Sequence, residues 1–201
     1  MILYLHGFRS APASYKARLL QEKMQSLGRS AEWLCPQLPP SPKQALALID
    51  SLILENKNHG LTLIGSSLGG FYANFFARLY NLPCVLLNPA SFPSRDLAPY
   101  ISTKIGSIQA FHSQDEFDFR AEYLDELRDI EQQRSEQTAP SAACMMIAAK
   151  GDEVLDWREM LAQHPYAQTL LLEQSDHGIS EFSEYLDQVL AFCDSQHGLG
   201  A

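Results

Sequence analysis

Short apolar runs alternate with longer amphipathic stretches along the 201-residue chain, and this alternation restricts the folds that the chain can adopt. Each run is apolar on both faces, which is typical of a strand buried inside a parallel sheet. The intervening stretches repeat apolar residues at helical spacing. The predicted strands are Ile2–His6, Ala31–Leu34, Leu61–Gly65, Val85–Asn88, Cys144–Ala149 and Thr169–Leu172.

The stretches between the strands predict helices with recognisable start signals. They are Ser14–Leu27, Ser41–Asn58, Leu68–Tyr80 and Ser180–Cys193. Ser14 suits the N-cap of the first helix, and Pro42 suits the first turn of the second. Strands joined through helices in this way run parallel, with helices on both faces of the sheet. The sequence therefore predicts an α/β fold.

The length and composition of the chain indicate one globular domain over residues 1–201. Hydrophobic residues make up 46% and charged residues 19%, which are ordinary values. The longest uncharged apolar stretch, Ala142–Ala149, is far shorter than the roughly 20 residues of a membrane span. A net charge of −9 and a pI near 5.0 argue against nucleic acid as a partner. A transmembrane protein is excluded.

Most of the negative charge lies in one segment. Between Asp115 and Glu136, nine acidic residues stand against three arginines, so this segment carries −6 of the net charge of −9. It predicts a helix whose charged face is either solvated or placed at a pocket mouth, where it would repel polyanionic substrates such as acyl-CoA. The helix belongs to an excursion, residues 90–141, that forms either a lid or an extra crossover.

The cysteines and the first residues predict the cellular compartment. Cys35, Cys84, Cys144 and Cys193 lack the spacing of a disulfide framework or a zinc site. The strand Ile2–His6 leaves no room for a signal peptide before the fold. We therefore expect a cytoplasmic protein with reduced thiols.

A G-x-S-x-G sequence lies between the third predicted strand and the helix that follows it. In this context the motif predicts a nucleophile elbow, a strained turn that raises a serine hydroxyl above the sheet. Ser67 is the predicted nucleophile, and Gly65 and Gly69 remove Cβ atoms that would clash in the turn. Ser66 lies off the pattern and is interpreted as a packing or hydrogen-bonding residue.

A serine nucleophile needs a base, and histidine follows acid in the Ser…Asp/Glu…His order of this motif. His177 lies just after the last predicted strand, in a loop at the same edge of the sheet as the elbow. His112 and His164 lie at the wrong end of a strand, and His197 lies in the C-terminal tail. His177 is therefore the predicted base.

The acid is expected at the end of the strand before the histidine. Asp152 is the first carboxylate after Cys144–Ala149, on a turn that begins with glycine. It would accept the Nδ1–H of the imidazole and fix its tautomer. Glu153 and Asp156 are the alternatives, and Asp156 also suits the cap of a short following helix.

Attack by a serine also requires hydrogen-bond donors for the negative charge that develops on the substrate oxygen. The backbone N–H of Leu68 follows the nucleophile and supplies one donor, and the N–H of Phe8, in the loop after the first strand, is predicted to supply the second. His6 and Arg9 of this loop are candidates for lining the pocket. The alternative role of the His6 ring is to brace the loop.

These features together make the sequence resemble the small bacterial YqiA-type esterases of the α/β-hydrolase superfamily. The resemblance implies a minimal hydrolase fold with a six-stranded, mostly parallel sheet of order 2-1-3-4-5-6. It also implies activity on acyl esters or thioesters without a cofactor, with Ser67, Asp152 and His177 in the positions of nucleophile, acid and base. Residues 92–141 depart from the family pattern. The blocks that carry the resemblance are Gly7-Phe8-x-Ser10-x-Pro12-x-Ser14-x-Lys16-Ala17, Pro36-Gln-Leu-Pro-Pro40-x-Pro42, Gly65-Ser-Ser-Leu-Gly-Gly70-x-Tyr72-Ala73, Asn88-Pro-Ala90, Gly151-Asp-Glu-Val-Leu-Asp156 and His177.

The sequence thus predicts a serine hydrolase that cleaves small-molecule acyl esters and needs neither cofactor nor metal. The alternatives are a thioesterase or peptidase with the same three residues, because Ser-His-Asp chemistry does not select the leaving group. A non-hydrolytic binding protein on the same scaffold is a further alternative. No oligomeric state is predicted.

Overall fold

The computed structural model describes residues 1–101 and 119–198, together with the backbone of two short strands, Ile108–Gln109 and Glu116–Phe117. Six further strands form one sheet. They are β1 (Ile2–Leu5), β2 (Trp33–Leu34), β3 (Thr62–Ser66), β4 (Cys84–Leu87), β5 (Cys144–Ala149) and β6 (Gln168–Leu172).

All neighbouring strands of this sheet pair in parallel, in the order β2-β1-β3-β4-β5-β6. The predicted strand order is confirmed, and the sheet is fully rather than mostly parallel. In a parallel sheet the carboxyl ends of all strands share one edge, so residues far apart in sequence meet there.

Burial separates the inner strands from the outer ones. Every residue of β1, β3, β4 and β5 is buried. The prediction that all six strands are buried on both faces is wrong for β2, which is half-buried, and for β6, where Gln168 and Thr169 are exposed. These two strands lie at the edges of the sheet, where fewer neighbours cover them.

Helices cover both faces of the sheet, as predicted. One face packs against α1 (Tyr15–Ser26) and α7 (Leu186–Ser195). The other packs against α2 (Pro42–Asn56), α3 (Leu68–Tyr80), α5 (Ala121–Glu136) and α6 (Trp157–Gln163). A single-turn helix, α4 (Pro93–Asp96), follows β4.

The helix starts follow the sequence signals in part. Pro42 begins α2, and the Ser41 hydroxyl accepts a hydrogen bond from the Gln44 N–H at 3.2 Å. Ser14 precedes α1, but its side chain makes no capping hydrogen bond. The helix predicted from Ser180 begins instead as a 3₁₀ turn, Phe182–Glu184, and continues as α7.

The acidic helix α5 begins at Ala121, later than predicted, and the earlier part of the predicted helix lies mostly outside the described residues. Two of its carboxylates cap other helices. Glu126 accepts hydrogen bonds from the Ser41 hydroxyl and the Lys43 N–H, at 2.8 and 2.9 Å. Glu131 accepts from the N–H and the hydroxyl of Ser94, both at 2.8 Å. Part of the negative charge therefore stabilises the N-termini of α2 and α4.

None of the helices in the described part of the chain combines the length and the apolar character that crossing a membrane requires.

His164, at the end of α6, is almost fully buried, and its Nδ1 donates a hydrogen bond to the Met160 carbonyl at 2.8 Å. Burial lowers the pKa of His164 to about 4, against the opposing effect of that hydrogen bond and with help from the positive charges of Arg134 and Arg78. In the unfolded chain the imidazole of His164 is protonated below about pH 6.5, whereas in the folded protein it stays neutral down to about pH 4. The folded state therefore has its full stability above pH 6.5 and loses stability as the pH falls toward 4.

We expect His164→Gln to reduce the loss of stability in acid. Between about pH 7.5 and about pH 4.5, the free energy of unfolding of the wild type should fall by about 2–3 kcal/mol more than that of the variant. Urea unfolding at both pH values measures this difference. His59→Gln, at an exposed histidine, is the control. Equal losses of unfolding free energy in the wild type and in His164→Gln would show that His164 does not cause the acid sensitivity.

Candidate active site

Ser67 occupies a strained turn between the end of β3 and the start of α3. Its backbone has φ 56° and ψ −121°, in a region that side-chain-bearing residues rarely adopt. A Cβ on Gly65 would lie 2.2 Å from the Gly69 carbonyl oxygen, and a Cβ on Gly69 would lie 2.0 Å from that of Leu5. Glycine is therefore required at both positions, as the elbow motif predicts.

Three side chains from the carboxyl edge of the sheet form a chain of hydrogen bonds. His177 Nε2 lies 3.2 Å from the Ser67 Oγ, and His177 Nδ1 lies 2.7 Å from the Asp152 Oδ2. A carboxylate accepts only, so Nδ1 carries the proton and Nε2 of the neutral ring is free to accept the serine proton. The structure thus brings together the three residues that the sequence singled out.

Asp152 is held in place by its own loop. Its side chain is fully buried, whereas the His177 side chain is 22% exposed. Asp152 Oδ1 accepts hydrogen bonds from the N–H groups of Val154 and Leu155, each at 2.8 Å. The preceding Gly151 lets the turn pass close to the loop after β6, since a Cβ there would lie 2.6 Å from the Ser175 carbonyl oxygen.

The alternative acids have other partners. Glu153 accepts a hydrogen bond from the backbone N–H of His177 at 3.0 Å rather than from its ring. Asp156 caps α6 by accepting from the Arg158 N–H at 2.9 Å, as its sequence position suggests. The geometry therefore leaves Asp152 as the carboxylate on the imidazole.

The other histidines lie elsewhere. His164 is buried at the end of α6, and His197 contacts the Thr62 hydroxyl at 2.8 Å. His112 lies outside the described residues. Of the histidines described, His177 alone contacts Ser67.

Asn88 is a site residue whose role the sequence analysis missed. It is fully buried directly after β4, and its Nδ2 donates to the carbonyls of Asp176 and His177 at 3.1 and 3.0 Å. Its Oδ1 accepts from the Ala149 N–H at 2.8 Å. One amide therefore ties the histidine loop to the ends of β4 and β5. Two sequence signals could have predicted the role of Asn88. It is a polar residue at the end of an apolar strand, and it belongs to the Asn88-Pro-Ala90 block.

The loop after β1 lies against the elbow. A Cβ on Gly7 would lie 3.1 Å from the Ser67 Cβ, so glycine permits this approach. Phe8 and Leu68 both line the cavity that contains Ser67. The Leu68 N–H belongs to the first turn of α3, where helical geometry offers it no partner.

Of the two pocket candidates in this loop, Arg9 lines the cavity and His6 is not among its described lining residues. His6 is 4% exposed and braces the loop, which was its alternative role. Its Nε2 accepts from the Leu38 N–H at 3.0 Å, and its Nδ1 donates to the Gly7 carbonyl at 2.9 Å. Both ring nitrogens hydrogen-bond to backbone groups, which favours the bracing role of His6 over its predicted pocket role.

The cavity at Ser67 has a volume of about 860 Å³, within the usual range for a small-molecule site. No residue of α5 is among the described lining residues of this cavity. The hypothesis that the acidic helix borders the pocket is therefore not supported for residues 121–136. The lining combines apolar residues with polar and charged ones. The apolar residues are Phe8, Leu68, Ala90, Pro93, Leu97, Pro99, Tyr100, Val154 and Leu155, and the polar and charged residues include Tyr4, Arg9, Ser10, Ser14, Lys16, Ser66, Asp96, Glu153 and Ser180.

Solved structures share this fold. Est1E from Butyrivibrio proteoclasticus gives a TM-score of 0.74 at 12% identity, over 98% of this chain and 88% of Est1E. A structure from the metagenome-derived lipolytic enzymes LipS and LipT gives 0.71 at 18% identity, over 96% and 93% of the two chains. The mouse alpha/beta hydrolase domain-containing protein 10 gives 0.68 at 16% identity, over 94% and 88%. The chain has the α/β-hydrolase fold.

A family can also be assigned. Residues 1–194 match the model of the family described as Uncharacterised protein family (UPF0227). The UPF0227 protein YcfP of Salmonella paratyphi A and that of Salmonella enteritidis PT4 are each 24% identical to this chain, over 96% of its length and 98% of theirs. The chain belongs to the UPF0227 family, which confirms the resemblance found in the sequence at the level of the family.

We expect Gly69→Ala to destabilise the fold by at least about 3 kcal/mol, because its Cβ would overlap backbone that cannot move independently. Gly28→Ala is the control. Gly28 has a positive φ of 70°, unlike Gly69, but no atom lies within 4 Å of a Cβ there, so its substitution should cost only about 1 kcal/mol. Urea unfolding measures both variants. Similar stability of the two variants would contradict the close approach of α3 to β1.

Proposed function

We propose that this protein is a serine hydrolase that cleaves carboxylic acyl esters through an acyl-enzyme. The observation that carries the proposal is the unbroken hydrogen-bond chain from Asp152 through His177 to Ser67, at the wall of a cavity. Nucleophile, base and orienting acid each occur once in it, in the order that proton transfer requires.

The proposed reaction begins when the Ser67 Oγ attacks the ester carbonyl carbon and its proton passes to His177 Nε2. Asp152 stabilises the imidazolium that forms, since its carboxylate already holds the Nδ1–H. The tetrahedral intermediate collapses and the departing alcohol takes the proton from Nε2. Water then repeats these steps on the acyl-enzyme, releasing the acid and restoring the Ser67 hydroxyl. No cofactor enters either half of the reaction.

The oxyanion of each tetrahedral intermediate needs donors that are fixed in advance. We assign this role to the backbone N–H groups of Leu68 and Phe8. The first turn of α3 also places the positive end of the helix dipole at this point. The support for Phe8 is the contact between the β1 loop and the elbow at Gly7.

The fold is shared with lipolytic enzymes, which supports an ester as the substrate class. Est1E and the lipolytic enzymes LipS and LipT share the fold at identities below 20%. The apolar residues of the cavity lining suit an acyl chain or another apolar substituent of a small-molecule ester.

We expect Ser67→Ala to abolish turnover of a short-chain acyl nitrophenyl ester and labelling by a fluorophosphonate probe, because both reactions need the Oγ. The loss in kcat should be at least about 10³-fold. Ser66→Ala, one residue earlier, is the matched control and should retain labelling. Circular dichroism checks that both variants are folded. Turnover by Ser67→Ala at the wild-type rate would refute the proposal.

We expect Asp152→Asn to lower kcat by about 10²- to 10⁴-fold, because an amide in this place would favour the wrong imidazole tautomer. Asp156→Asn, the same change in a residue that caps α6, should alter kcat by less than about threefold. The comparison is made on the same ester with both variants shown to be folded. The reverse ranking would reassign the acid to Asp156.

A further inference from the structure

Lys16 is a buried cation at the cavity wall for which the proposed reaction has no use. It lies in the first turn of α1, is 9% exposed, and donates from Nζ to the Gly178 carbonyl at 2.6 Å. An ammonium is unfavourable there for two reasons, since burial removes it from water and the N-terminus of a helix repels positive charge.

Lys16 forms no ion pair with any described residue, although Asp176 and Asp152 lie near enough to favour its charged form. Asp152 is occupied by His177, and Asp176 is bound by the N–H and hydroxyl of Ser180. Burial nevertheless dominates and lowers the pKa of Lys16 to about 8, which still leaves it mainly protonated at neutral pH.

The ammonium has donors to spare. Lysine offers three N–H donors, and one of them is used by the Gly178 carbonyl. The first-turn N–H groups of α1 receive no hydrogen bond from the Ser14 side chain. Ser14 and Lys16 line the same cavity as Ser67. The buried Lys16 and the start of α1, which has no side-chain cap, therefore belong to the wall of the cavity that contains Ser67.

The carboxylates in the cavity wall have other partners than Lys16. Asp96 pairs with Arg95 at 2.8 Å, and Glu153 accepts from the His177 backbone. Lys16 therefore supplies a positive charge and spare N–H donors that can bind an anion at the cavity wall.

We propose that Lys16 and the start of α1 bind a carboxylate carried by the substrate, so that the preferred substrates are esters with a free acid group. The inference rests on the proposed function for the cleavage itself, but the carboxylate subsite is a separate claim. The acid group can belong to the acyl part or to the leaving group, and the test examines both.

The test compares two pairs of esters that differ only in charge. The first pair is the butyrate ester of para-hydroxybenzoate and that of para-hydroxybenzamide, which places the charge on the leaving group. The second is the monomethyl ester of adipic acid and its neutral monoamide analogue, which places it on the acyl part. In at least one pair we expect the wild type to favour the acid in kcat/KM by about 10- to 100-fold.

Substitution of Lys16 should remove this preference. In Lys16→Met the ratio of kcat/KM for the charged and neutral esters should fall close to one, and Lys16→Arg should keep part of it. Lys23→Met is the matched control, because Lys23 lies on the same helix and pairs with the surface residue Asp187. Its ratio should match that of the wild type. Lys16→Gln replaces Lys16→Met if the latter does not fold.

Three results would overturn the subsite. The wild type could show no preference in either pair, or Lys16→Met could keep the wild-type preference. Alternatively, Lys16→Met could lower kcat/KM equally for both members of a pair, as expected if Lys16 only positions the His177 loop through Gly178. If no ester is turned over, the proposed function fails, and calorimetry decides the subsite. Para-hydroxybenzoate or adipate should then bind the wild type at least about tenfold more tightly than Lys16→Met.

Discussion

The first turn of α3 touches the end of β1 with no side chain between them, and the direction of the Ser67 hydroxyl depends on this contact. Gly69 meets the Leu5 carbonyl, and Gly65 meets the carbonyl of Gly69. The two glycines allow the chain to turn sharply enough to give Ser67 its positive φ. The strain in the elbow is therefore maintained by the packing of a helix on the central strands.

The sequence was sufficient to predict the parts of the site that follow from topology. Ser67, Asp152 and His177 each follow a recognisable strand, and in a parallel sheet those strand ends share one edge. Asn88 also follows a strand, but its hydrogen bonds depend on β5 being the neighbour of β4 and on a left-handed backbone with φ 42°. Neither property is visible in the residues around it.

Other contacts could not be predicted, because polar partners that are distant in sequence are not visible in a local pattern. The α5 carboxylates were predicted to be solvated or pocket-facing, yet Glu126 and Glu131 bind Ser41 and Ser94, which lie 85 and 37 residues earlier in the chain. His6 was compatible with two roles until its contact with Leu38 was known. A lysine at the start of an amphipathic helix is ordinarily exposed, whereas the orientation of α1 buries Lys16.

The attachment of the histidine loop to Asn88 has a consequence for how the molecule can vary. His177 follows the outermost strand, but hydrogen bonds from the end of an inner strand hold its backbone. In the described part of the chain, β6 pairs only with β5, which leaves the other side of β6 unpaired with any described strand. The strand β6 can therefore lengthen, diverge in sequence or pair with an additional strand on its unpaired side, while the imidazole of His177 keeps its position beside Ser67.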